Sequence, residues 1–482
     1  MSISLYLYHH LPVSSRSIAA SLRGYYLNWW RYDKKTEERV EQARERDFWT
    51  EDQWELWLQE RVSFILHRAA TKVPHYREYW SERRRNGDRS SPDYLENWPI
   101  LEKQDLRERG LTFVADDRNP NRMYRDHTSG TTGTSLDIWM TRDTVKYWYA
   151  LSEARWRRWY GVSKKDRWAI FGGQLVTPIS QTRPPFWVWN AGLNQLYMSS
   201  YHLAPEYIKY YIQALKENRV RYLVGYSSAL YTLAQSVNRE SRKGLKMDVV
   251  ITNAEPLYDH QKVEIAEAFG CPVRETYGMA EMTAAASECP NGNLHQWPEA
   301  GLIEKSENDG KRLLSEFICT GLANPDMPLV RYRVGDSGTF SHELCSCGRT
   351  LPLIKRIEGR NDDLLYTVDG RQVGRLDPVF KNAHGFAEAQ IIQKSLHEIK
   401  VKYVPLIDDT KDVELRIADR IRDRIGDVNV SFESVAEIPR TPTGKFRAVI
   451  CEMSIEEKAT IANGVSKSHQ SKFPRANDLT SP

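Results

Sequence analysis

Residues 127–135 read His-Thr-Ser-Gly-Thr-Thr-Gly-Thr-Ser, a short stretch built almost wholly of small hydroxyl residues and glycine. Glycine lets a backbone approach an anion closely, and serine and threonine add hydroxyl and amide donors. Ser129, Gly130, Thr131, Thr132, Gly133 and Thr134 therefore suit a clamp on the phosphates of a nucleotide. The stretch is not a Walker loop, which needs a lysine after its last glycine, because Thr134 and Ser135 follow Gly133. The same composition serves ordinary linkers, so the loop needs companions. Four lie downstream: Tyr277-Gly278-Met279-Ala280-Glu281, Arg331-Tyr332-Arg333-Val334-Gly335-Asp336, Gly359-Arg360-Asn361-Asp362-Asp363 and Pro439-Arg440-Thr441-Pro442-Thr443-Gly444-Lys445. A separate set has a different chemistry. Cys289 and His295 are six apart, and Cys345 and Cys347 share a Cys-Ser-Cys-Gly turn; three thiolates and an imidazole suit tetrahedral zinc, while ordinary reduced thiols are the plainer reading.

These residues need elements to position them. Thr50-Glu51-Asp52-Gln53 has the form of a capping box, and Trp54, Trp57, Leu58, Val62, Ile65, Leu66 and Ala69 keep helical spacing up to Pro74. A second amphipathic helix is expected over 145–160, with Trp148, Trp156 and Trp159 as a core stripe and Arg155, Arg157 and Arg158 on a solvated face. From 166 to 278, short β-rich runs at 168–171, 222–224 and 249–252 alternate with helical stretches at 206–217 and 261–269. That alternation predicts parallel strands with crossover helices. Gly172-Gly173 and Gly225 end two of the runs, which places the site along the carboxyl ends of the strands. After about residue 358 a smaller strand-and-helix set begins. The expected division is an aromatic and basic segment over 1–50 packed on the body, a large domain over 51–358, a small mobile α+β domain over 359–455, and a polar, disordered tail over 456–482. The fold class is α/β.

A chain of 482 residues with 40% hydrophobic content can bury a large core. Its 68 basic and 64 acidic residues nearly balance, so nothing calls for a nucleic-acid partner. Six cysteines in the second half of a long chain without a secretory signal point to a reducing, cytoplasmic setting. No run approaches the roughly 18–20 apolar residues that span a bilayer. The aromatic, basic stretch at 24–32 can either rest in a membrane interface or pack on the body; packing is the expectation, and peripheral membrane contact stays open.

Taken in order, the loop and its four companions resemble the adenylate-forming superfamily of acyl-CoA synthetases, luciferases and adenylation domains. Ser129–Gly133, the Tyr-Gly-x-x-Glu turn, Ala254-Glu255-Pro256-Leu257 and Cys345-x-Cys347-Gly348-Arg349 narrow the resemblance to the phenylacetate-CoA ligase family and its capsular-polysaccharide-biosynthesis branch, over roughly residues 50–453. The resemblance implies a two-step reaction in which a carboxylate attacks the α-phosphate of ATP and a nucleophile then takes the acyl group. It implies that Lys445, Glu281 and Thr131 are catalytic, with Glu281 holding Mg²⁺ and Lys445 a mobile cation. Tyr277 would stack on adenine, Asp336 would accept from the ribose hydroxyls, and Arg360 would contact ribose or phosphate. Ala254, Glu255, Glu275, Thr276 and Gly278 would complete the nucleotide pocket, and Asp362 would be a hinge. Phe171, Gly172, Gly173 and Tyr226 would line the acid pocket, whose aromatic surroundings favour an aromatic or apolar acid. Cys289, His295, Cys345 and Cys347 would hold a structural zinc.

Coenzyme A is the first candidate acceptor. The stretch 366–375, Tyr-Thr-Val-Asp-Gly-Arg-Gln-Val-Gly-Arg, departs from that family and leaves an amine or a sugar hydroxyl open. A non-catalytic nucleotide-binding protein or membrane-associated assembly protein is the reading of another class. The acid, the oligomeric state (a homodimer is admitted) and the pathway are not legible.

Overall fold

The computed structural model describes residues 3–127, 136–174, 176–178, 181–203, 205–239, 245–305, 315–358, 365–367, 372–373, 377–380, 385–439, 447–454 and 456–458. The phosphate-loop candidates Ser129, Gly130, Thr131, Thr132, Gly133 and Thr134, together with Arg360, Asp362 and Lys445, lie outside the described residues, as does the tail beyond residue 458.

The Thr50 side chain accepts from the Gln53 N–H while the Gln53 side chain accepts from the Thr50 N–H, and this reciprocal cap opens the helix Glu51–Lys72. Val73 ends it in extended geometry, as a residue before proline prefers, and Pro74 opens the next helix, Pro74–Arg85. Ile65, Leu66 and Ala69 of the first helix and Tyr76 and Trp80 of the second are buried in one core cluster with Trp98, Phe113, Phe317 and Tyr332.

A twelve-stranded mixed sheet organises the large part of the chain. Its parallel half runs through Gln195–Ser199, Trp168–Gly172, Tyr222–Tyr226, Val249–Asn253 and Val273–Gly278, with Trp187–Asn190 antiparallel at the edge. Helices Pro205–Glu217, Ser227–Arg239 and Asp259–Phe269 cover it and supply Tyr211, Leu230, Ile265 and Phe269 to a second core. The expected strand and helix alternation is present, with each predicted run within a residue or two of the observed element. The other half is antiparallel, from Ala285–Glu288 through Leu294–Gln296, Leu353–Glu358, Tyr332–Ser341 and Ser315–Gly321 to Gly301–Lys305. Val273–Gly278 is the seam: it pairs in parallel with Val249–Asn253 on one side and antiparallel with Ala285–Glu288 on the other.

The predicted helix over 145–160 is a helix at Arg142–Ser152 that widens into a π-turn at Glu153–Arg157 and tightens at Arg158–Tyr160. Its solvated arginine face is corrected by the structure. Arg155 is fully buried between Glu299 and Asp47, and Arg157 is buried against the Tyr222 hydroxyl at 2.7 Å and the Glu153 carboxylate. The tryptophans do line a core: Trp148 and Trp156 both face Trp297, and Trp159 is buried.

A separate four-stranded sheet, ordered Asn429–Ser434, Glu398–Pro405, Phe386–Ser395 and Val449–Cys451, packs on the helix Lys411–Ile425 through Ile391, Ile399, Val401, Ile417 and Ile421. The molecule is thus α/β, with a large mixed sheet and a smaller sheet-and-helix unit. Among the described residues no helix is long and apolar enough to cross a membrane.

Candidate nucleotide site and metal centre

Parallel strands in register bring their carboxyl ends to one edge. Phe171 pairs with Gly225, Tyr226 with Asn253, and Thr252 with Glu275, so Gly172, Tyr226, Ala254 and Thr276 follow one another across adjacent strand ends. The Phe171 ring itself is fully buried, stacked on Tyr211, so this residue reaches the edge with its backbone. Gly225 leaves no room for a side chain: a Cβ there would meet the Phe171 carbonyl at 2.8 Å. Beyond Val249–Asn253 the chain turns through Ala254 at φ 62°, left-handed geometry that costs an alanine on the order of 1–2 kcal/mol. Glu255 then accepts from the Ser228 N–H at 3.0 Å, tying the turn to the start of helix Ser227–Arg239. Thr276 is buried and donates to the Thr252 carbonyl at 2.7 Å, while the Glu275 N–H donates to the buried Glu288.

At the seam, the Tyr277 hydroxyl donates to Asp336 Oδ2 at 2.6 Å. Three strands lie between Val273–Gly278 and Tyr332–Ser341 in the sheet order, a span of roughly 19 Å were the sheet flat. The bond therefore requires the antiparallel half to curl back over the strand ends. Burial, reinforced by the Asp336 carboxylate, holds the Tyr277 hydroxyl well above its ordinary pKa, so it stays a donor. Glu281 is buried; its Oε1 accepts from the Tyr332 hydroxyl at 3.1 Å and faces Lys103 Nζ at 3.7 Å. Sequence reasoning quoted Tyr332 without a role and missed Lys103, which stands in no motif. The structure thus pairs Tyr277 with Asp336 and Glu281 with Tyr332, beside the ends that carry Tyr226, Ala254, Glu255 and Thr276.

The second predicted cluster is also assembled. The ligand atoms of Cys289, His295, Cys345 and Cys347 all lie within 4.8 Å of one another. Cys289 Sγ and Cys345 Sγ are 3.7 Å apart, and Cys347 Sγ and His295 Nε2 are 3.4 Å apart. Zinc bonds of about 2.3 Å to sulfur and 2.0 Å to nitrogen, at tetrahedral angles, set such pairs about 3.5–3.8 Å apart. The sulfur separation is too long for a disulfide. His295 Nδ1 is 3.0 Å from the Leu351 carbonyl, a contact that directs a proton to Nδ1 and the Nε2 lone pair to the cluster. Burial lowers the His295 pKa to about 4, which keeps the ring neutral. Cys345 is opposed by burial, yet its thiol is lowered by hydrogen bonds from the Cys347 N–H and the Asn293 amide. The residues present fit zinc.

Two further cavities share little with these sites. One of about 630 Å³ is lined by Arg39, Arg46, Arg61, Arg68 and Arg118 with Trp57 and Tyr147. A smaller one of about 90 Å³ lies between Tyr231, Tyr258 and His260 of the large part and Phe386 and Ala448 of the small unit.

With that geometry in place, comparison with known proteins is decisive at the level of family. The profile of the AMP-binding enzyme family matches residues 61–305, just over half of the chain. The chain belongs to the AMP-binding enzyme family. It is an adenylate-forming ligase of the CapK-like branch, and the profile described as the CapK C-terminal domain matches residues 365–452. Protein CapK of Staphylococcus aureus is 28% identical over 455 residues, covering 92% of this chain and 98% of that protein. The phenylacetate-coenzyme A ligase of Thermus thermophilus is 23% identical over 447 residues, 81% of this chain and 95% of that one. Among solved structures, 2-hydroxyisobutyryl-CoA ligase in its postadenylation state has the same fold, with a TM-score of 0.62 and 19% identity over 85% of this chain and 91% of that chain.

Proposed function

We propose that this enzyme activates an aromatic or apolar carboxylic acid as its acyl adenylate and passes the acyl group to coenzyme A. The observation that carries the reading is the Tyr277–Asp336 bond beside the buried Glu281, at the carboxyl ends of the parallel strands of an AMP-binding enzyme. In the first step a carboxylate oxygen bonds to the α-phosphorus of ATP, and the bond from that phosphorus to the bridging oxygen breaks, the electron pair leaving with pyrophosphate. In the second, the acceptor attacks the acyl carbonyl and AMP departs.

In-line displacement at phosphorus asks for positioning and charge neutralisation more than covalent help. Asp336, held by Tyr277, would accept from the ribose hydroxyls and set the sugar. Tyr277 would offer its ring to adenine, with Ala254, Glu255, Glu275, Thr276 and Gly278 forming the surrounding wall. Glu281 is a hard carboxylate fixed by Tyr332, and it would hold Mg²⁺; when bound, that ion neutralises phosphate charge. Ser129–Gly133 and Thr134 would grip the departing pyrophosphate, Arg360 would reach ribose or phosphate, and Lys445 would bridge the attacking carboxylate and the α-phosphate. Asp362 would be the point about which the small unit turns between the steps. Cys289, His295, Cys345 and Cys347 would hold zinc in a closed structural site, cross-linking the Ala285–Gln296 hairpin to the turn before Leu353–Glu358.

The names of the relatives support coenzyme A as acceptor: two are coenzyme A ligases. The divergent stretch at 366–375 favours a second reading, transfer to an amine or a sugar hydroxyl. Carboxylate-dependent exchange of labelled pyrophosphate into ATP, run across a panel of aryl and alkyl acids, tests the first step. Acceptor screening with whichever acid supports exchange then separates thiol from amine and hydroxyl.

A further inference from the structure

The helix Val13–Arg31 buries Trp30 and packs Leu27 on the core, yet turns a second apolar stripe outward. Towards the body it presents Ser17, Ser21 and Gly24 beside the buried Arg16, Trp30 and Arg31, and the two serines satisfy the edge of the great sheet. Ser17 accepts from the Trp189 N–H at 3.2 Å, and Ser21 donates to the Trp189 carbonyl and accepts from the Ala191 N–H at 3.0 Å. Gly24 and Gly192 bring the two backbones together so closely that a Cβ on Gly192 would lie 2.1 Å from the Tyr25 nitrogen, and one on Gly24 would lie 1.7 Å from Asn190 Oδ1. An unpaired sheet edge is thus sealed by hydroxyl groups, and the seal fixes the helix rotation.

That rotation leaves Ile18, Leu22, Tyr25, Tyr26 and Trp29 in solvent, with exposures of 63, 67, 58, 49 and 72%. At 100° per residue these five occupy an arc of about 100°, and they extend for about 16 Å along the axis. A surface helix of a soluble body normally turns such a stripe inward, and an exposed stripe of this kind marks a docking surface. The expectation that the aromatic segment buries itself on the body holds for Trp30, which is buried, and fails for Tyr25, Tyr26 and Trp29.

Charge and residue type identify the occupant. Residues 1–32 contain Arg16, Arg23 and Arg31 and no aspartate or glutamate. Arg23 is exposed beside the stripe, and the exposed Arg142 donates to the Tyr26 hydroxyl at 2.8 Å, bringing a second guanidinium to its rim. Tryptophan and tyrosine place an apolar ring below and a polar edge above a water–lipid boundary, while leucine and isoleucine go deeper. The stripe is one helix wide, which fits a deformable sheet of lipid. We propose that helix Val13–Arg31 seats this enzyme on an anionic lipid bilayer, lying in the interface plane with Ile18, Leu22, Tyr25, Tyr26 and Trp29 inserted and Arg23 and Arg142 at the phosphates.

The test is flotation of the full-length protein with vesicles of phosphatidylcholine, with and without phosphatidylglycerol. Wild-type protein floats with the anionic vesicles and less in high salt. The Leu22→Ser/Trp29→Ser variant loses about tenfold or more of that partitioning with an unchanged thermal midpoint, since both side chains are solvent-exposed. Arg23→Glu weakens binding to anionic vesicles selectively. The proposal is overturned if wild type stays at the bottom of the gradient with both vesicle types, or if the double variant floats as well as wild type. It is equally overturned if sedimentation shows a wild-type dimer that the double variant dissolves while neither protein binds vesicles, which would make a second copy the occupant.

Discussion

Tyr277 and Asp336 are 59 positions apart and meet at 2.6 Å, so each fixes the rotamer of the other. If Asp336 sets the ribose, Asp336→Asn removes a charged acceptor, and the KM for ATP in pyrophosphate exchange rises about 10–100-fold with the fold intact. Buried charge elsewhere has a structural consequence. Glu299 is fully buried; burial alone would raise its pKa, but Arg155 at 2.7 Å and Arg46 at 2.8 Å hold it below the ordinary carboxylate range. A lowered folded pKa means stability that is complete above the unfolded value, about 4.3, and lost as pH falls below it. Glu299→Gln should cost about 3–5 kcal/mol at neutral pH, because two arginines lose their carboxylate. Urea unfolding against pH should show a flatter acid limb for the variant than for wild type. The motif residues at the seam were readable because their chemistry is local in sequence. Lys103 and the Tyr332–Glu281 bond were not, since only the folded sheet brings them together.

The elements were legible where a local signal specifies them. The capping box at Thr50 and the proline at 74 delimit one helix, and apolar runs ending in glycine mark strands 168–172 and 222–226. The π-turn at Glu153–Arg157 was not legible: its arginines look solvated from their own neighbourhood, and the partner Glu299 is 144 positions away. The cysteine and histidine residues lay between these cases, with suggestive spacing within each pair and no sequence signal joining the pairs. Purified protein should contain about one zinc per chain by elemental analysis. Stripping it with a chelator, or replacing Cys345 by Ser, should lower the thermal midpoint by several degrees, because either change removes the tie that the ion would make between the Cys289/His295 pair and the Cys345/Cys347 turn. A zinc content near zero would leave three reduced thiols and a neutral imidazole.

At the scale of the molecule, a mixed sheet curls so that an antiparallel strand offers Asp336 to a tyrosine at the end of the parallel half, and a smaller sheet-and-helix unit follows. A phosphate loop without its own lysine makes sense in such an enzyme if the cation arrives from that unit. Lys445 follows the loop by more than 300 positions, on a Pro-Thr-Gly segment. Delivering the charge on a separate unit would let it serve adenylation and then withdraw for transfer to the acceptor. The central claim is therefore that Lys445 acts in the first step alone. It is tested most directly by comparing wild type and Lys445→Ala in carboxylate-dependent exchange of labelled pyrophosphate into ATP, and in acyl transfer from a chemically prepared acyl adenylate. The account predicts that exchange falls by about 100-fold or more while transfer from the adenylate persists. Exchange at the wild-type rate in Lys445→Ala would contradict it.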